Sequence, residues 1–177
     1  PVALRRCTQT GGGIQMIVRA QPEHADALTQ IAIAAKRHWN YPEAWIQFWI
    51  PQLTISAGYI SSNEIWMMTD KEKPIAFYAL SQNEEGYELG HLWVLPEYIG
   101  RGIGKQLFTH ALERCKLLNI FTLRSYADPH AQAFYEKMGA KKISEHHSDL
   151  FGEDRVLPIM EIKYDNLLRL LQYSPRR

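Results

Sequence analysis

Residues 92–105 read LWVLPEYIGRGIGK, an apolar strand that runs into a glycine loop and then into an amphipathic helix. A second segment, residues 128–139, reads DPHAQAFYEKMG and predicts a short capped helix that carries a phenol. A strand, a loop of unpaired backbone N–H groups and a helix N-terminus together form a cradle for a diphosphate. A phenol on the next helix suits proton transfer to a leaving group beside that cradle.

The spacing of the loop residues does not fit two other phosphate-binding loops. A Walker loop needs glycine where Ile99 stands and Ser or Thr where Gln106 stands. A dinucleotide-binding Gly-x-Gly-x-x-Gly loop needs a further glycine where Lys105 or Leu107 stands. A tight strand-to-helix turn without a ligand remains the structural alternative. The glycines let the backbone approach a diphosphate closely, and Arg101 and Lys105 add positive charge beside it.

Together the two segments resemble the GNAT superfamily of N-acetyltransferases, which move acetyl from acetyl-CoA to an amine. The family's diphosphate loop runs Gln/Arg-x-x-Gly-x-Gly/Ala, and its second signature runs Asn-x-x-Ala-x-x-Phe-Tyr with a later glycine. The matching residues are Gly102, Gly104, Ala131, Phe134, Tyr135 and Gly139. Two positions depart from the family: Ile99 replaces the polar residue that begins the loop, and Asp128 replaces the usual Asn.

The resemblance implies an α/β (α+β) fold, with a mixed, mostly antiparallel sheet that splays open at its fourth strand and is flanked by helices. It also implies acetyl-CoA as the acetyl donor. The backbone of Leu92, Trp93 and Val94 would pair with the pantetheine arm like an added strand. The remaining candidate cofactor contacts are Gly100, Arg101, Gly102, Ile103, Gly104 and Lys105 in the loop, and Asp128 and Phe134 in the second segment.

Acetyl transfer from a thioester to an amine needs an acid for the departing thiolate and a base for the amine. Tyr135 matches the family's acid, and a phenol is protonated at neutral pH; the alternative is a tyrosine that only packs in the core. Glu88 matches the position of a catalytic glutamate in the histone-acetylating branch. His91 is a second candidate base because histidine titrates near neutral pH, and a chain of waters is a third possibility.

The composition is that of one globular domain with a sizeable core: 177 residues, 46% hydrophobic and 22% charged. A net charge of +1 with mixed signs argues against a general nucleic-acid binder. The two cysteines, Cys7 and Cys115, give no disulfide framework. The sequence shows no membrane span and no signal peptide, so we expect a cytoplasmic enzyme. His146 and His147 lack a Cys or acidic partner at ligand spacing, and we predict no metal site.

We divide the chain into a flexible leader at residues 1–15, an acetyltransferase domain at 16–165 and a helical tail at 166–177. The predicted element order is β-α-α-β-β-β-α-β-α-β-β. The first helix spans about 22–39 and places Leu28, Ile31, Ala32, Ala35 and Trp39 on one core face. The helix after the glycine loop is expected to bury Ile103, Leu107, Ala111, Leu112, Cys115 and Leu118. Asp128 as N-cap, Pro129 behind it and Gly139 as C-cap bound the second segment.

The acceptor side of the family's site lies by the first two helices, where this chain is rich in aromatic side chains. They include Trp39, Tyr41, Trp45, Phe48 and Trp49. An aromatic wall there suits a cationic amine through cation–π contact. We expect direct transfer in a ternary complex to a small-molecule primary amine, by a monomer or homodimer. The alternatives are a protein N-terminus or lysine as acceptor, or a non-catalytic acyl-CoA-binding module.

Overall fold

The computed structural model describes residues 15–163, which form two compact units. The first unit holds the residues up to 80 together with 91–108, and the second holds 81–90 together with the residues from 109 onward. The predicted tail lies outside the described residues. So does the predicted leader, except for Gln15, which is the first residue of strand β1.

Seven strands and five α-helices make up the described chain. The strands are β1 (Gln15–Arg19), β2 (Glu64–Asp70), β3 (Lys73–Asn83), β4 (Gly86–Val94), β5 (Thr122–Tyr126), β6 (Lys141–Leu150) and β7 (Glu153–Lys163). The helices are α1 (Ala25–Arg37), α2 (Glu43–Leu53), α3 (Ala57–Ser62), α4 (Ile103–Leu117) and α5 (Gln132–Lys137). No helix among them is long and apolar enough to cross a membrane.

The strands follow the order β1-β2-β3-β4-β5-β7-β6. Strands β4 and β5 run parallel, whereas the pairs β1–β2, β2–β3, β5–β7 and β6–β7 are antiparallel. The helices flank this mixed sheet, and the predicted fold class is confirmed. The turn between β6 and β7 is formed by Phe151 and Gly152, whose φ angles of 56° and 83° suit a tight reversal.

The first unit is built on the helical periodicity that the sequence predicts. Helix α1 buries Leu28, Ile31, Ala32 and Ala35, and α2 buries Ile46, Trp49 and Leu53. The prediction that Trp39 belongs to this core face was wrong, because α1 ends at Arg37 and Trp39 is only half-buried. The sequence did not predict α3. Ser56 caps this helix by accepting a hydrogen bond from the Tyr59 backbone N–H, and Ile60 is its one buried residue. Because α3 has only six residues and one buried apolar side chain, the sequence shows no helical periodicity there.

The second half of α4 belongs to the second unit and buries Ala111, Leu112 and Cys115. The prediction that Leu118 is buried was wrong, since its exposed fraction is 39%. The helix ends at Leu117, and Asn119 turns the chain with a φ of 57°. The Ile120 N–H then bonds the Cys115 carbonyl at 2.8 Å, as in a Schellman ending, and Ile120 takes the buried place.

Candidate active site

The glycine loop lies in the first unit, where it leads into α4. Gly100 and Gly102 have φ angles of +81° and +79°, and a Cβ added at either would meet no atom within 4 Å. The Gln106 N–H makes a helical bond to the Gly102 carbonyl at 3.1 Å. The N–H groups of Ile103, Gly104 and Lys105 precede it and have no partner within the helix. Open space in front of a helix N-terminus is the arrangement that binds a diphosphate.

A tyrosine that the sequence analysis missed anchors this loop. The Tyr98 hydroxyl donates to Asp70 Oδ2 at 3.1 Å, and this bond is the main cause that raises the pKa of the phenol. The Arg101 guanidinium lies over the Tyr98 ring, 5.1 Å from its centroid. Arg101 and Lys105 are both exposed, so each cation is accessible to an anion at the loop. Ile99, at the first loop position, is 40% exposed.

The end of β4 that belongs to the first unit carries the residues predicted to contact pantetheine. Leu92, Trp93 and Val94 are half-buried. Just beyond the strand, the Leu95 N–H bonds the Ile75 carbonyl of β3 at 2.9 Å. One backbone edge of this segment therefore faces β3, which leaves the other edge as the one that could pair with a ligand.

His91 lies on β4 among aromatic rings, with Tyr59 at 5.7 Å and Phe77 at 5.9 Å between ring centroids. Burial lowers the pKa of His91 to about 4, so the ring is neutral at pH 7. The Trp93 indole N–H donates to His91 Nδ1 at 2.9 Å. The neutral ring then carries its proton on Nε2, and neither nitrogen offers a free lone pair. This environment suits a hydrogen-bond donor better than a base.

In the second unit, β4 and β5 pair over a short stretch. Their register within the described residues consists of Tyr87 opposite Leu123 and Glu88 opposite Arg124. The next carbonyl along β4, that of Leu89, accepts a hydrogen bond from the Ser125 hydroxyl at 2.9 Å. A side chain thus replaces the ladder at the point where the paired stretch ends.

Glu88 is half-buried at this point, and burial is the main cause that raises the pKa of its carboxyl. The nearby charge of Glu85 raises it further, while the Asn83 amide opposes both by donating to Glu88 Oε2 at 3.2 Å. A raised pKa makes a carboxylate a stronger base at neutral pH.

Tyr135 lies on α5 and is 7% exposed. Its hydroxyl is 3.3 Å from Ser125 Oγ, and its ring packs edge-on against Phe134 at 5.5 Å between centroids. Burial raises the pKa of the phenol to about 12, and the negative charges of Glu88 and Asp128 act in the same direction. The second unit therefore brings Glu88, Asp128 and Tyr135 into one electrostatic neighbourhood.

The predicted start and end of the second segment are confirmed. The Asp128 carboxylate accepts the His130 N–H at 3.1 Å, with Pro129 at the first position of a 3₁₀ turn that leads into α5. Gly139 has a φ of 84°, and its N–H bonds the Glu136 carbonyl at 2.9 Å. Asp128 thus has a capping role in addition to the predicted cofactor contact.

The aromatic cluster of α1 and α2 already holds a cation from the protein itself. Lys36 is 4% exposed, and its ammonium lies 4.6 Å from the Tyr41 ring centroid and 4.3 Å from that of Trp49. Trp45 packs against both rings, at 6.0 and 5.7 Å. The expectation that these rings offer a vacant wall to a cationic amine is therefore corrected for Tyr41 and Trp49. Phe48, by contrast, is 54% exposed.

The β6–β7 hairpin supplies His147 with an acidic partner that the sequence analysis did not find. Asp154 lies opposite Asp149 in the register, and its carboxylate is 3.0 Å from His147 Nδ1. This bond raises the pKa of the imidazole. Across residues 15–163, no three His, Cys, Asp or Glu side chains are arranged to hold a metal ion.

The chain is similar to acetyltransferases in both sequence and fold. A family model described as acetyltransferase (GNAT) domain matches residues 61–139. A peptidyl-lysine N-acetyltransferase of Salmonella typhimurium, YjaB, is 29% identical over 109 residues, which are 61% of this chain and 70% of that protein.

Among solved structures, the PaiA N-acetyltransferase of Thermoplasma acidophilum in complex with coenzyme A is 25% identical, with a TM-score of 0.69. The similarity covers 85% of this chain and 99% of that chain. A GCN5-related N-acetyltransferase from Rhodopseudomonas palustris has a TM-score of 0.70 at 19% identity, covering 83% of this chain and 94% of its own. The latter shows the fold alone.

Proposed function

Since the chain is a GNAT-type N-acetyltransferase that takes its acetyl group from acetyl-CoA, we propose that it acetylates a primary amine by direct transfer within a ternary complex. The observation that carries this proposal is the buried phenol of Tyr135, held 3.3 Å from Ser125 in the unit where the β4–β5 pairing ends. A phenol whose pKa is about 12 is protonated at neutral pH.

The donor substrate is assigned to the two segments that first indicated it. The backbone N–H groups of residues 100–105 hold the diphosphate, with Arg101 and Lys105 as accessible cations. The backbone of residues 92–94 pairs with the pantetheine arm. Asp128 and Phe134 are the remaining proposed contacts of the donor. Each of these assignments is a proposal that binding measurements on variants can test.

Tyr135 is the acid in this proposal, and it gives its proton to the sulfur as the C–S bond breaks. For the base we favour Glu88, acting through water, over His91. Burial raises the pKa of the Glu88 carboxyl, whereas it lowers the pKa of His91 to about 4 and Trp93 occupies its Nδ1. His91 then serves as a neutral donor beside the thioester or the acceptor.

The acceptor we propose is a small-molecule primary amine. A polycationic amine is disfavoured at the α1–α2 surface because the Lys36 ammonium already lies on the Tyr41 and Trp49 rings. A lysine side chain is the second candidate, since YjaB is a peptidyl-lysine N-acetyltransferase. A protein N-terminus is a third. Cytoplasmic location and a monomeric or homodimeric state stay predictions.

The test is the release of free CoA, followed with a thiol reagent, over a panel of acceptors at fixed acetyl-CoA. The panel holds small primary amines, lysine-containing peptides with blocked N-termini, and peptides whose only amine is the N-terminus. We expect turnover above the rate without acceptor for a small amine, with an acetylated product by mass spectrometry. Turnover on blocked lysine peptides alone would make a lysine the acceptor. Binding of acetyl-CoA without turnover on any member would support the non-catalytic alternative.

A further inference from the structure

Ser125 is a buried polar residue on an otherwise apolar side of β5. Burial along this strand alternates, with Leu123 and Ser125 buried, Thr122 and Arg124 half-buried, and Tyr126 exposed. Ser125 is 6% exposed, and its hydroxyl reaches two oxygens: the Leu89 carbonyl at 2.9 Å and the Tyr135 hydroxyl at 3.3 Å. A hydroxyl at a core position of a strand needs such partners, because a buried polar group without them destabilises the fold.

The single hydroxyl proton of Ser125 can serve only one of these two oxygens at a time. The Leu89 carbonyl can only accept, and the serine hydroxyl has one proton. At the shorter distance of 2.9 Å, Ser125 therefore donates to Leu89. By rotation the same proton reaches the Tyr135 oxygen across the 3.3 Å contact. When Ser125 donates to this oxygen, the phenol's own proton is directed away from Ser125.

The same serine also explains how the sheet tolerates the end of the β4–β5 pairing. Ladder bonding in this pair stops at Glu88 and Arg124, and the Leu89 carbonyl follows directly. Ser125 supplies the donor that a continued ladder would have supplied. One side chain therefore connects the point of divergence to the proposed acid.

We propose that Ser125 is a positioning residue that orients the Tyr135 phenol for proton transfer and then supports the phenolate. This inference rests on Tyr135 being the acid. The amine nitrogen bonds the acetyl carbon and gives its proton to the base; as the C–S bond breaks, its electron pair goes to sulfur and the sulfur takes the phenol proton. The Ser125 hydroxyl then rotates from Leu89 and donates to the phenolate oxygen, and solvent later returns the proton to Tyr135. The burial of the phenol makes this support necessary, since a phenolate there has little water around it.

The test combines Ser125→Ala, Ser125→Thr and Tyr135→Phe, alone and with Ser125→Ala added to Tyr135→Phe. On the best acceptor of the panel, Ser125→Ala should lower kcat about 10-fold and leave acetyl-CoA affinity by calorimetry within about twofold. Ser125→Thr keeps the hydroxyl and should recover most of kcat. In the Tyr135→Phe background, Ser125→Ala should lower kcat no further, because Ser125 acts through the phenol.

Two outcomes would overturn the inference: an unchanged kcat in folded Ser125→Ala, or an equal loss of kcat with and without the phenol, which would mark Ser125 as only structural. The proposed acid is judged separately, by Tyr135→Phe alone; if that variant keeps its turnover, both assignments fail. A readout independent of activity is the ¹³Cζ resonance of Tyr135, which should move in Ser125→Ala as the phenol loses its contact with the Ser125 hydroxyl. Should Ser125→Ala not fold, Ser125→Cys keeps the size with a weak donor and carries the same expectations.

Discussion

Replacement of Tyr135 with Phe removes one oxygen from the site and should lower kcat at least 10²-fold, which corresponds to about 2.7 kcal/mol on the barrier. This loss of kcat is the usual contribution of a positioned acid, and the phenol can make it because it is protonated. Burial raises its pKa to about 12, so at pH 8 only about one molecule in 10⁴ carries a phenolate. The wild-type enzyme always holds the acid ready, and no decline of kcat with rising pH should come from Tyr135 below about pH 10.

The same substitution should hardly change the stability of the fold. Phe keeps the ring and its edge-on packing on Phe134. Ser125 still donates to the Leu89 carbonyl at 2.9 Å, so the substitution leaves no donor of Ser125 unsatisfied. The lost bond to Ser125 is long, at 3.3 Å, and we expect the free energy of unfolding to change by less than about 1 kcal/mol.

The assay is CoA release with both substrates saturating, supported by calorimetry of acetyl-CoA binding and a urea titration. Tyr126→Phe is the matched control, because Tyr126 lies in the same unit at 36% exposure and should tolerate the change. If Tyr135→Phe retains turnover within about twofold of the wild type, the phenol is structural and the thiolate receives its proton from another donor.

Three further predictions concern the loop, the cap and the buried histidine. Gly102→Val should weaken acetyl-CoA binding at least 10-fold by calorimetry, because the new side chain enters the open space before α4. Gly152→Val is the control for backbone strain, since Gly152 has a similar φ of +83° on the β6–β7 turn, and this variant should bind acetyl-CoA normally. Asp128→Asn should keep or improve CoA affinity, whereas Asp128→Ala should lower the free energy of unfolding by about 1 kcal/mol in urea. Weaker CoA binding by folded Asp128→Asn would show that the carboxylate serves CoA binding and not chiefly the cap. The pKa of His91 is about 4 in the folded state and about 6.5 in the unfolded state. Its contribution to the free energy of unfolding is therefore complete above pH 6.5 and is lost as the pH falls towards 4, a decrease of about 3 kcal/mol in all. His91→Gln keeps an acceptor for Trp93 and should flatten this decline in urea titrations between pH 4 and 7; an unchanged slope would show that other groups cause it.

The sequence predicted those parts of the fold and site that depend on local patterns. The glycine loop, the capped segment from Asp128 to Gly139 and the buried face of α1 each carry their signal within a few residues. Conformational demands such as a positive φ at Gly102 or a capping carboxylate at Asp128 restrict residue type directly. That is why the glycine loop and the start of the second segment could be placed without a structure.

What the sequence did not predict depends on contacts between distant residues. The partners of Ser125 lie 36 and 10 residues away, and a serine in a strand is by itself unremarkable in sequence. The signal for Ser125 in the sequence was its position two residues after Leu123, on the same face of the strand. The position of Lys36 between two rings depends on how α1 packs on α2. The His147–Asp154 bond depends on the hairpin register.

Cys115 affects how the enzyme can be labelled and handled. Its side chain is fully buried in α4, and burial raises the pKa of its thiol to about 12. At pH 7 the reactive thiolate is present in only about one molecule in 10⁵, and the surrounding side chains exclude bulky electrophiles. Maleimide treatment of the folded enzyme should therefore spare Cys115, and peptide mapping after labelling can verify that its thiol stays unmodified.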